Sequence, residues 1–424
     1  MLFAFDGTGN QDYGKGTYAS NVVKFRDAYR ADPNEPSYPN TTWTGQKVKF
    51  GEFAKNNAFY ISGVGTTDRY TGVDGGTLGN VTDAGVGVSM KRRSNRMVLY
   101  LQHYLQKVAD QYKDNQTKVI NINLDIVGFS RGAATARMFA NKVEQLMDGN
   151  NDPYVPFPAK WRETTKWLKN SCNVNFKFNF MGLWDTVPAY EPDATTGVNS
   201  YNDGTELELE ISNKWKRVVQ AVAVNEHRSG FHGRSIFNSQ KEANAGDKKN
   251  RIERGFLGAH ADIGGRYPEG DLSDVALMWV VKEAELAGVK KLDVPGKYKY
   301  VQTPTVHDSV GVFGFLPQYK PNRDFLWANQ GEKRGNQEQF NNFNHLKLNW
   351  SDTLKYQNKK YVEKNGGKFE DIRELLDDFD KEEYMALKKN KTIVYDGNVA
   401  NEKIRIKAYV KWVNDTYGTK LVAK

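Results

Sequence analysis

The chain has 424 residues, a formal net charge of +9 at pH 7 and 39% hydrophobic residues. This length and apolar content predict a folded protein with a sizeable core and exclude a mainly disordered chain. The single cysteine excludes an internal disulfide and a thiolate metal cage. The positive charge favours anionic partners, but zinc-finger and basic-zipper spacings are absent, so we expect no nucleic-acid binding.

The N-terminal segment carries no recognisable targeting signal. Met1 to Phe5 is a short apolar run without a basic segment before it, which predicts a strand rather than a secretory leader. We therefore expect the chain to be cytoplasmic in the cell that makes it. No run approaches the roughly 18 apolar residues that a spanning helix needs, so any membrane contact is expected to be peripheral.

Taken in chain order, the apolar patterns predict strands and helices in alternation. The first strand covers residues 1–5 and a second covers 59–62, each followed by glycines. Recurrent glycine between Gly72 and Gly87 predicts a loop. A helix is predicted from about 95 to 112, with a buried face formed by Met97, Val98, Leu101, Leu105 and Val108.

The alternation continues through the middle of the chain. Further strands are predicted at 119–127, 176–180, 218–224 and 255–260, and helices at about 133–140 and 273–287. Strands interleaved with helices predict an α/β fold in which a mostly parallel sheet is covered by helices. Because the chain exceeds the usual size of one compact domain, we also expect loop insertions.

The last hundred residues differ in composition from the rest. After about Asn322 the sequence is polar and rich in lysine, with one predicted helix near 371–388. We therefore predict two units. Residues 1–321 form the catalytic domain, and residues 322–424 form a C-terminal cap or appendage.

The segment around Ser130 carries the strongest chemical signal. A strand rich in β-branched residues leads directly into Gly128-Phe129-Ser130-Arg131-Gly132, and small residues that favour a helix follow. Such a G-x-S-x-G turn projects the serine at the end of a sheet, and its glycines remove Cβ atoms that would collide there. The pattern predicts Ser130 as the nucleophile of an α/β-hydrolase-like enzyme.

A serine hydroxyl needs a base, and the chain offers six histidines. His260 is the preferred candidate, because it ends a predicted strand directly before a glycine-rich turn, where such sheets display functional residues. His307 is the alternative, since the base usually follows the last strand. Of the other four, His103 is expected to be a surface or boundary residue, His227 and His232 have structural or substrate-contact roles, and His345 lies in the polar C-terminal region.

Two aspartates could orient the base. Asp185 follows the predicted strand that ends near Trp184, and with His260 it keeps the chain order Ser, Asp, His. Asp262 with His307 keeps the same order. Each aspartate also has a purely structural interpretation, Asp262 as a cap of the Gly264-Gly265 turn and Asp185 as a turn former.

The loop after the first strand is the candidate partner of the nucleophile turn. In Asp6-Gly7-Thr8-Gly9-Asn10, the amide of Gly7 or Thr8 could join the Arg131 amide in an oxyanion hole. A glycine-rich loop can also cradle a nucleotide phosphate. The lysine-serine pair of a P-loop does not follow, which disfavours nucleotide binding.

Taken together, seven segments resemble the DUF2235 α/β-hydrolase family, whose bacterial members include the first class of type VI secretion lipase effectors. They extend in order over roughly residues 1–310 and are Phe5 to Asn10, Ser20 to Val23, Gly63 to Thr66, Gly128 to Ala133, Gly182 to Val187, Glu226 to Arg228, and Gly258 to Gly265. One departure is Arg266, where family members often carry a third glycine.

The resemblance implies a triad of Ser130, Asp185 and His260 that hydrolyses acyl esters of glycerophospholipids without a metal or other cofactor. It further implies delivery by the type VI system into the periplasm of a rival bacterium, docking on a secretion-spike protein, and neutralisation by an immunity protein. Two alternatives stay open. The enzyme could act on soluble esters or thioesters, or the chain could be an inert hydrolase-like binding module.

Overall fold

The computed structural model of the chain describes its residues in separate stretches. They are residues 1–12, 18–29, 42–44, 47–49, 58–66, 89–112, 114, 119–147, 173–188, 207–228, 230–246, 250–268, 270–289, 292–302, 307, 323–329, 332–343, 346 and 399–423.

Thirteen strands and seven helices are defined in the described stretches. The strands are β1 (Leu2–Phe5), β2 (Thr42–Thr44), β3 (Lys47–Lys49), β4 (Ala58–Ile61), β5 (Val119–Phe129), β6 (Asn173–Trp184), β7 (Arg217–Ala223), β8 (Gly233–Arg234), β9 (Arg251–Phe256), β10 (Tyr300–Val301), β11 (Asp324–Leu326), β12 (Lys333–Asn336) and β13 (Val422–Ala423). The helices are α1 (Asn21–Tyr29), α2 (Met90–Tyr112), α3 (Arg131–Met147), α4 (Gln240–Ala245), α5 (His260–Gly264), α6 (Asp271–Leu286) and α7 (Val399–Tyr417).

Six strands form the central sheet, in the order β4-β1-β5-β6-β7-β9. Every neighbouring pair in it is parallel, so all six carboxyl ends lie along one edge. From β1 the chain passes to β4, the neighbour of β1 on one side, and then to β5, its neighbour on the other side. This reversal creates a topological switch point between β1 and β5, the place where open α/β sheets bind their ligands.

Helices cover both faces of the sheet, because side chains alternate between the faces along each strand. In β1, Leu2 and Ala4 belong to a core cluster with residues of α1 and α6. Phe3 and Phe5 point the other way and pack in a second cluster with α2 and α3. The expected α/β-hydrolase-like architecture, a parallel sheet between two helical layers, is confirmed.

Most predicted elements are present, with changed bounds. The predicted buried face of the helix at 95–112 is confirmed, since all five of its residues are at most 9% exposed in α2. The strand predicted at 255–260 is wrong in its bounds, because β9 ends at Phe256 and His260 instead begins the short helix α5. The predicted loop at 72–87 and helix at 371–388 lie outside the described residues.

The described part of residues 322–424 packs against the rest of the chain. Strands β8, β11 and β12 form a small sheet, in which β11 pairs in parallel with β8. In α7, Tyr409 accepts a hydrogen bond from the Leu257 amide at 2.9 Å, and Tyr417 donates to the Gly255 carbonyl at 2.9 Å. The division at residue 321 stays a prediction. None of the described helices has the length and apolarity needed to cross a membrane.

Candidate active site

The parallel register brings Ser130 and Asp185 side by side. Phe129 pairs with Trp184 at the ends of β5 and β6. The next residue on each strand is therefore Ser130 and Asp185, on strands that run about 4.8 Å apart. The Ser130 amide donates to the Trp184 carbonyl at 3.1 Å, which extends the ladder to the serine itself.

Ser130 occupies a sharp turn between β5 and α3. Its φ is +59°, a left-handed conformation that is costly for a residue other than glycine and is typical of functional turns. A Cβ on Gly128 would lie 2.7 Å from Cα of Ala133, and one on Gly132 would collide with the carbonyl oxygens of Phe5 and Asp6. Both glycines are therefore required for α3 and the β1 loop to approach the serine closely.

Asp185 is a fully enclosed carboxylate with three hydrogen-bond donors around it. Its φ is +43° and its exposed fraction is 1%. Oδ2 lies 2.6 Å from Nδ1 of His260, and Oδ1 accepts from the Ala223 amide at 3.0 Å and from Arg323. Burial alone would raise the pKa of Asp185, but Arg323 and His260 together lower it. The carboxylate is therefore ionised at neutral pH.

His260 begins α5 and is held at both its backbone and its ring. Its amide donates to Oε2 of Glu226 at 3.2 Å, and its Nδ1 donates to the ionised Asp185. Nε2 is buried and has no hydrogen-bond partner among the described residues, so its lone pair is available. Burial lowers the pKa of His260, which keeps the imidazole neutral and able to accept a proton.

The imidazole ring of His260 lies against the nucleophile turn. Its centroid is 4.6 Å from that of Phe129, the residue that precedes Ser130. Phe231 also contacts the ring, in an edge-to-face arrangement with centroids 5.2 Å apart. Ser130 is not hydrogen-bonded to Nε2 in this structure. Catalytic hydrogen bonds of this kind commonly tighten only when substrate binds.

In the loop after β1, the two predicted oxyanion donors, Gly7 and Thr8, differ in their hydrogen-bond partners. The Gly7 amide donates to Oδ1 of Asp6 at 2.8 Å, so its hydrogen is already committed. Oγ1 of Thr8 is buried and has no hydrogen-bond partner among the described residues. Arg131 is the first residue of α3, where backbone amides point out of the helix. The Gly7 amide is therefore unsuited to the predicted role, whereas Thr8 offers a buried hydroxyl as a donor beside its predicted amide.

Asp262 and His307 form a second, separate pair. Their Oδ1 and Nδ1 atoms lie 2.6 Å apart, and the His307 ring stacks on Tyr267 with centroids 3.7 Å apart. Oδ2 of Asp262 accepts from the Ala259 amide at 2.9 Å, so this carboxylate caps α5 rather than the Gly264-Gly265 turn. Burial raises the pKa of Asp262. The structure therefore couples each aspartate to its own histidine.

The remaining histidines occupy varied positions. His232 has Nδ1 4.0 Å from Oδ2 of Asp324, and His227 follows Glu226 in the loop after β7. His103 lies in α2, and His345 lies outside the described residues.

Sequence reasoning missed the charged groups that surround the pair of Asp185 and His260. Glu226 accepts two side-chain hydrogen bonds from Arg228 at 2.8 Å, and this partner lowers its pKa although burial opposes the change. The sequence signal was the segment Glu226-His227-Arg228, whose role had not been assigned. Arg323, which contacts Asp185, is 138 positions away from it and had no local signal.

Comparison with known proteins places these features in a family. The model of the catalytic domain of Tle1-like phospholipase effectors of the type VI secretion system matches residues 1–157 and 144–283. A solved structure described as the Tle1 effector bound to the VgrG spike from the type 6 secretion system matches at 23% identity and a TM-score of 0.35, covering 63% of this chain and 51% of that one. An uncharacterised protein from Pseudomonas aeruginosa matches at 20% identity and a TM-score of 0.37, covering 70% and 46%.

The chain thus spans about half the length of the solved structures that it matches. No curated protein sequence matches it.

Proposed function

The chain belongs to the family of Tle1-like phospholipase effectors of the type VI secretion system, and from this premise we propose that it is a serine phospholipase of the A type. The substrate would be the acyl ester of a membrane glycerophospholipid. The observation that supports a serine mechanism best is the contact of Asp185 with Nδ1 of His260 at 2.6 Å, beside the strained turn at Ser130.

The proposed reaction begins when Nε2 of His260 takes the Ser130 proton and Oγ attacks the ester carbonyl carbon. The ionised Asp185 holds the imidazole with hydrogen on Nδ1 and stabilises the imidazolium that forms. His260 then returns the proton to the alcohol oxygen of the lysophospholipid as it leaves. Water attacks the acyl-enzyme by the same route, releasing a fatty acid and restoring Ser130.

The tetrahedral oxyanion needs donors near the end of β5. We assign these to the Arg131 amide at the start of α3 and to Thr8 in the loop after β1, which flank the switch point of the sheet. The positive end of α3 would add a favourable field. Thr8 replaces Gly7 in this proposal, because the Gly7 amide is bonded to Asp6.

Two substrates are assayed separately: vesicles of bacterial phosphatidylethanolamine and phosphatidylglycerol, and a soluble short-chain chromogenic ester. Lipidomics should show lysophospholipid and free fatty acid with the full chain, and neither with Ser130→Ala. Ser239→Ala is the matched control, since Ser239 caps helix α4 and has no part in the proposed reaction. Turnover of the soluble ester with intact vesicle lipid would favour an esterase, and no turnover of either would favour a binding module.

We also propose that the substrate is met in the periplasm of a target bacterium, after delivery by the type VI system on a spike protein. An immunity protein would protect the producer. The net charge of +9 would favour peripheral contact with anionic bilayers. Growth arrest by a periplasmically exported chain, abolished by Ser130→Ala, is the expected result. Equal arrest by both chains would contradict lipid hydrolysis as its cause.

A further inference from the structure

The Asp185 carboxylate has a charge partner from outside the matched catalytic region. Arg323 lies 40 residues beyond the last residue that the family model matches, and its side chain is fully buried. Nη2 contacts Oδ1 of Asp185 and donates to the Ala223 carbonyl at 3.2 Å, while Nη1 donates to the Phe231 carbonyl at 3.0 Å. One guanidinium thus joins the carboxylate to two backbone segments beside His260.

The fold fixes the position of Arg323 from both sides. It directly precedes β11, which pairs with β8 through Phe325 and Gly233. Strand β8 is itself attached to the segment after Asp185, because the Arg234 amide donates to the Thr186 carbonyl at 2.9 Å. The guanidinium is therefore held on a small sheet rather than on a free loop, which is the support that a site needs to keep its geometry.

The two oxygens of the carboxylate have separate partners. Arg323 and the Ala223 amide occupy Oδ1, so Oδ2 is left for the imidazole of His260. Without Arg323, the carboxylate could rotate, and its buried charge would be balanced by His260 alone. A buried carboxylate without a partner either becomes protonated or draws a proton onto its neighbour.

We propose that Arg323 is a positioning residue for the catalytic reaction, which orients the Asp185 carboxylate and balances its charge, so that the active site is completed by the C-terminal segment. The inference rests on the proposed serine mechanism. Arg323 contacts no reacting atom in this account and acts through Asp185 alone.

The readout is the pH dependence of kcat/KM on a soluble ester. Among the described residues, the charged groups that face the pair of Asp185 and His260 are Arg323 and, from the loop after β7, Glu226 and Arg228. Removing the charge of Arg323 raises the pKa of Asp185, and the unbalanced carboxylate favours the imidazolium of His260. Both changes move the acidic limb of the profile to higher pH.

The test compares Arg323→Gln, which removes the charge, with Arg323→Lys, which keeps it. For Arg323→Gln the acidic limb should rise by roughly one pH unit, the lower end of the effect of an adjacent arginine on a carboxylate. Its kcat/KM at pH 7 should fall about 100-fold, as expected when a catalytic group is displaced. Arg323→Lys should keep the limb in place and recover part of the rate.

The control is Arg334→Gln, which changes an arginine of β12, on the same small sheet as Arg323, and breaks its buried ion pair with Glu253 of β9. A purely structural loss lowers the rate equally at every pH, so this variant should leave the limb in place. An unmoved limb in Arg323→Gln, or the same limb in the Gln and Lys variants, would overturn the inference. Inactive wild-type protein that also fails to react with a fluorophosphonate would instead overturn the proposed serine mechanism.

Discussion

Replacing Asp185 with asparagine separates its role in catalysis from its role in stability. The side chain keeps its shape, and the amide oxygen can still accept from Arg323 and the Ala223 amide. The amide nitrogen then faces Nδ1 of His260, where the aspartate oxygen lies at 2.6 Å. Because that nitrogen only donates, it selects the imidazole tautomer with hydrogen on Nε2, which cannot take the Ser130 proton.

The expected loss of kcat/KM is about 10⁴-fold, the cost of a wrong tautomer in a serine triad, or about 5.5 kcal/mol of transition-state stabilisation. The stability also falls, because the buried Arg323 loses the charge of the carboxylate that it contacts. Breaking such a pair costs about 3 kcal/mol of unfolding free energy.

Two assays follow the two effects: kcat/KM on a soluble ester and urea unfolding followed by circular dichroism. The double variant Asp185→Asn with Arg323→Met removes both charges, so it should recover stability without recovering activity. A single variant that keeps kcat/KM within tenfold of the wild type would refute the reasoning. So would a double variant that regains activity together with stability.

Two further predictions concern the base and the nucleophile turn. Since burial lowers the pKa of His260 below 6.5, the neutral imidazole is the main form above that pH. We therefore expect kcat/KM to stay level from pH 6.5 to 8 and to fall as the pH drops through the pKa of His260 in the folded protein. A kcat/KM that falls to half its plateau value above pH 6.5 would contradict this. Gly132→Ala should lower the unfolding free energy by about 1 to 3 kcal/mol, because its Cβ would overlap the Asp6 carbonyl oxygen. Gly296→Ala is the control with no atom within 4 Å of the new Cβ, and an equal loss in both variants would count against the argument.

The sheet and the nucleophile turn could be predicted because their signals are local. The strand that ends at Phe129 is rich in β-branched residues, and the small residues after Ser130 favour a helix. Asp185 could be predicted as a candidate too, because it follows a predicted strand and keeps the chain order Ser, Asp, His with His260. Register could not be obtained this way, because the pairing of Phe129 with Trp184 depends on contacts 55 residues apart.

The bounds around His260 were predicted incorrectly for a physical reason. The apolar run at 255–260 was assigned to one strand, yet Asp262 reaches back to the Ala259 amide and starts α5 at His260. An acidic residue at the third position of a helix was the available signal. The signal is not decisive in the sequence, because Asp262 is also compatible with a cap of the following glycine turn and with a partner of His307.

The contribution of the C-terminal segment could not be predicted from composition. Its lysine-rich character predicts a cap or appendage, but composition alone does not show that Tyr409, Val413 and Tyr417 of α7 are buried in the main core. Arg323 has no distinctive motif around it in the sequence, and its role depends on its contact with Asp185, which is 138 positions away. Long-range pairing of buried charges leaves no periodic pattern in one sequence.

The central claim is that the Ser130 hydroxyl is activated by His260. Mass spectrometry of the full chain after fluorophosphonate treatment measures this directly, because the reagent forms a stable adduct only with an activated serine. One adduct is expected on the peptide that contains Ser130, lost in His260→Ala and retained in His307→Ala. An unmodified Ser130 in the wild type, or an adduct that depends on His307 and persists without His260, would contradict it.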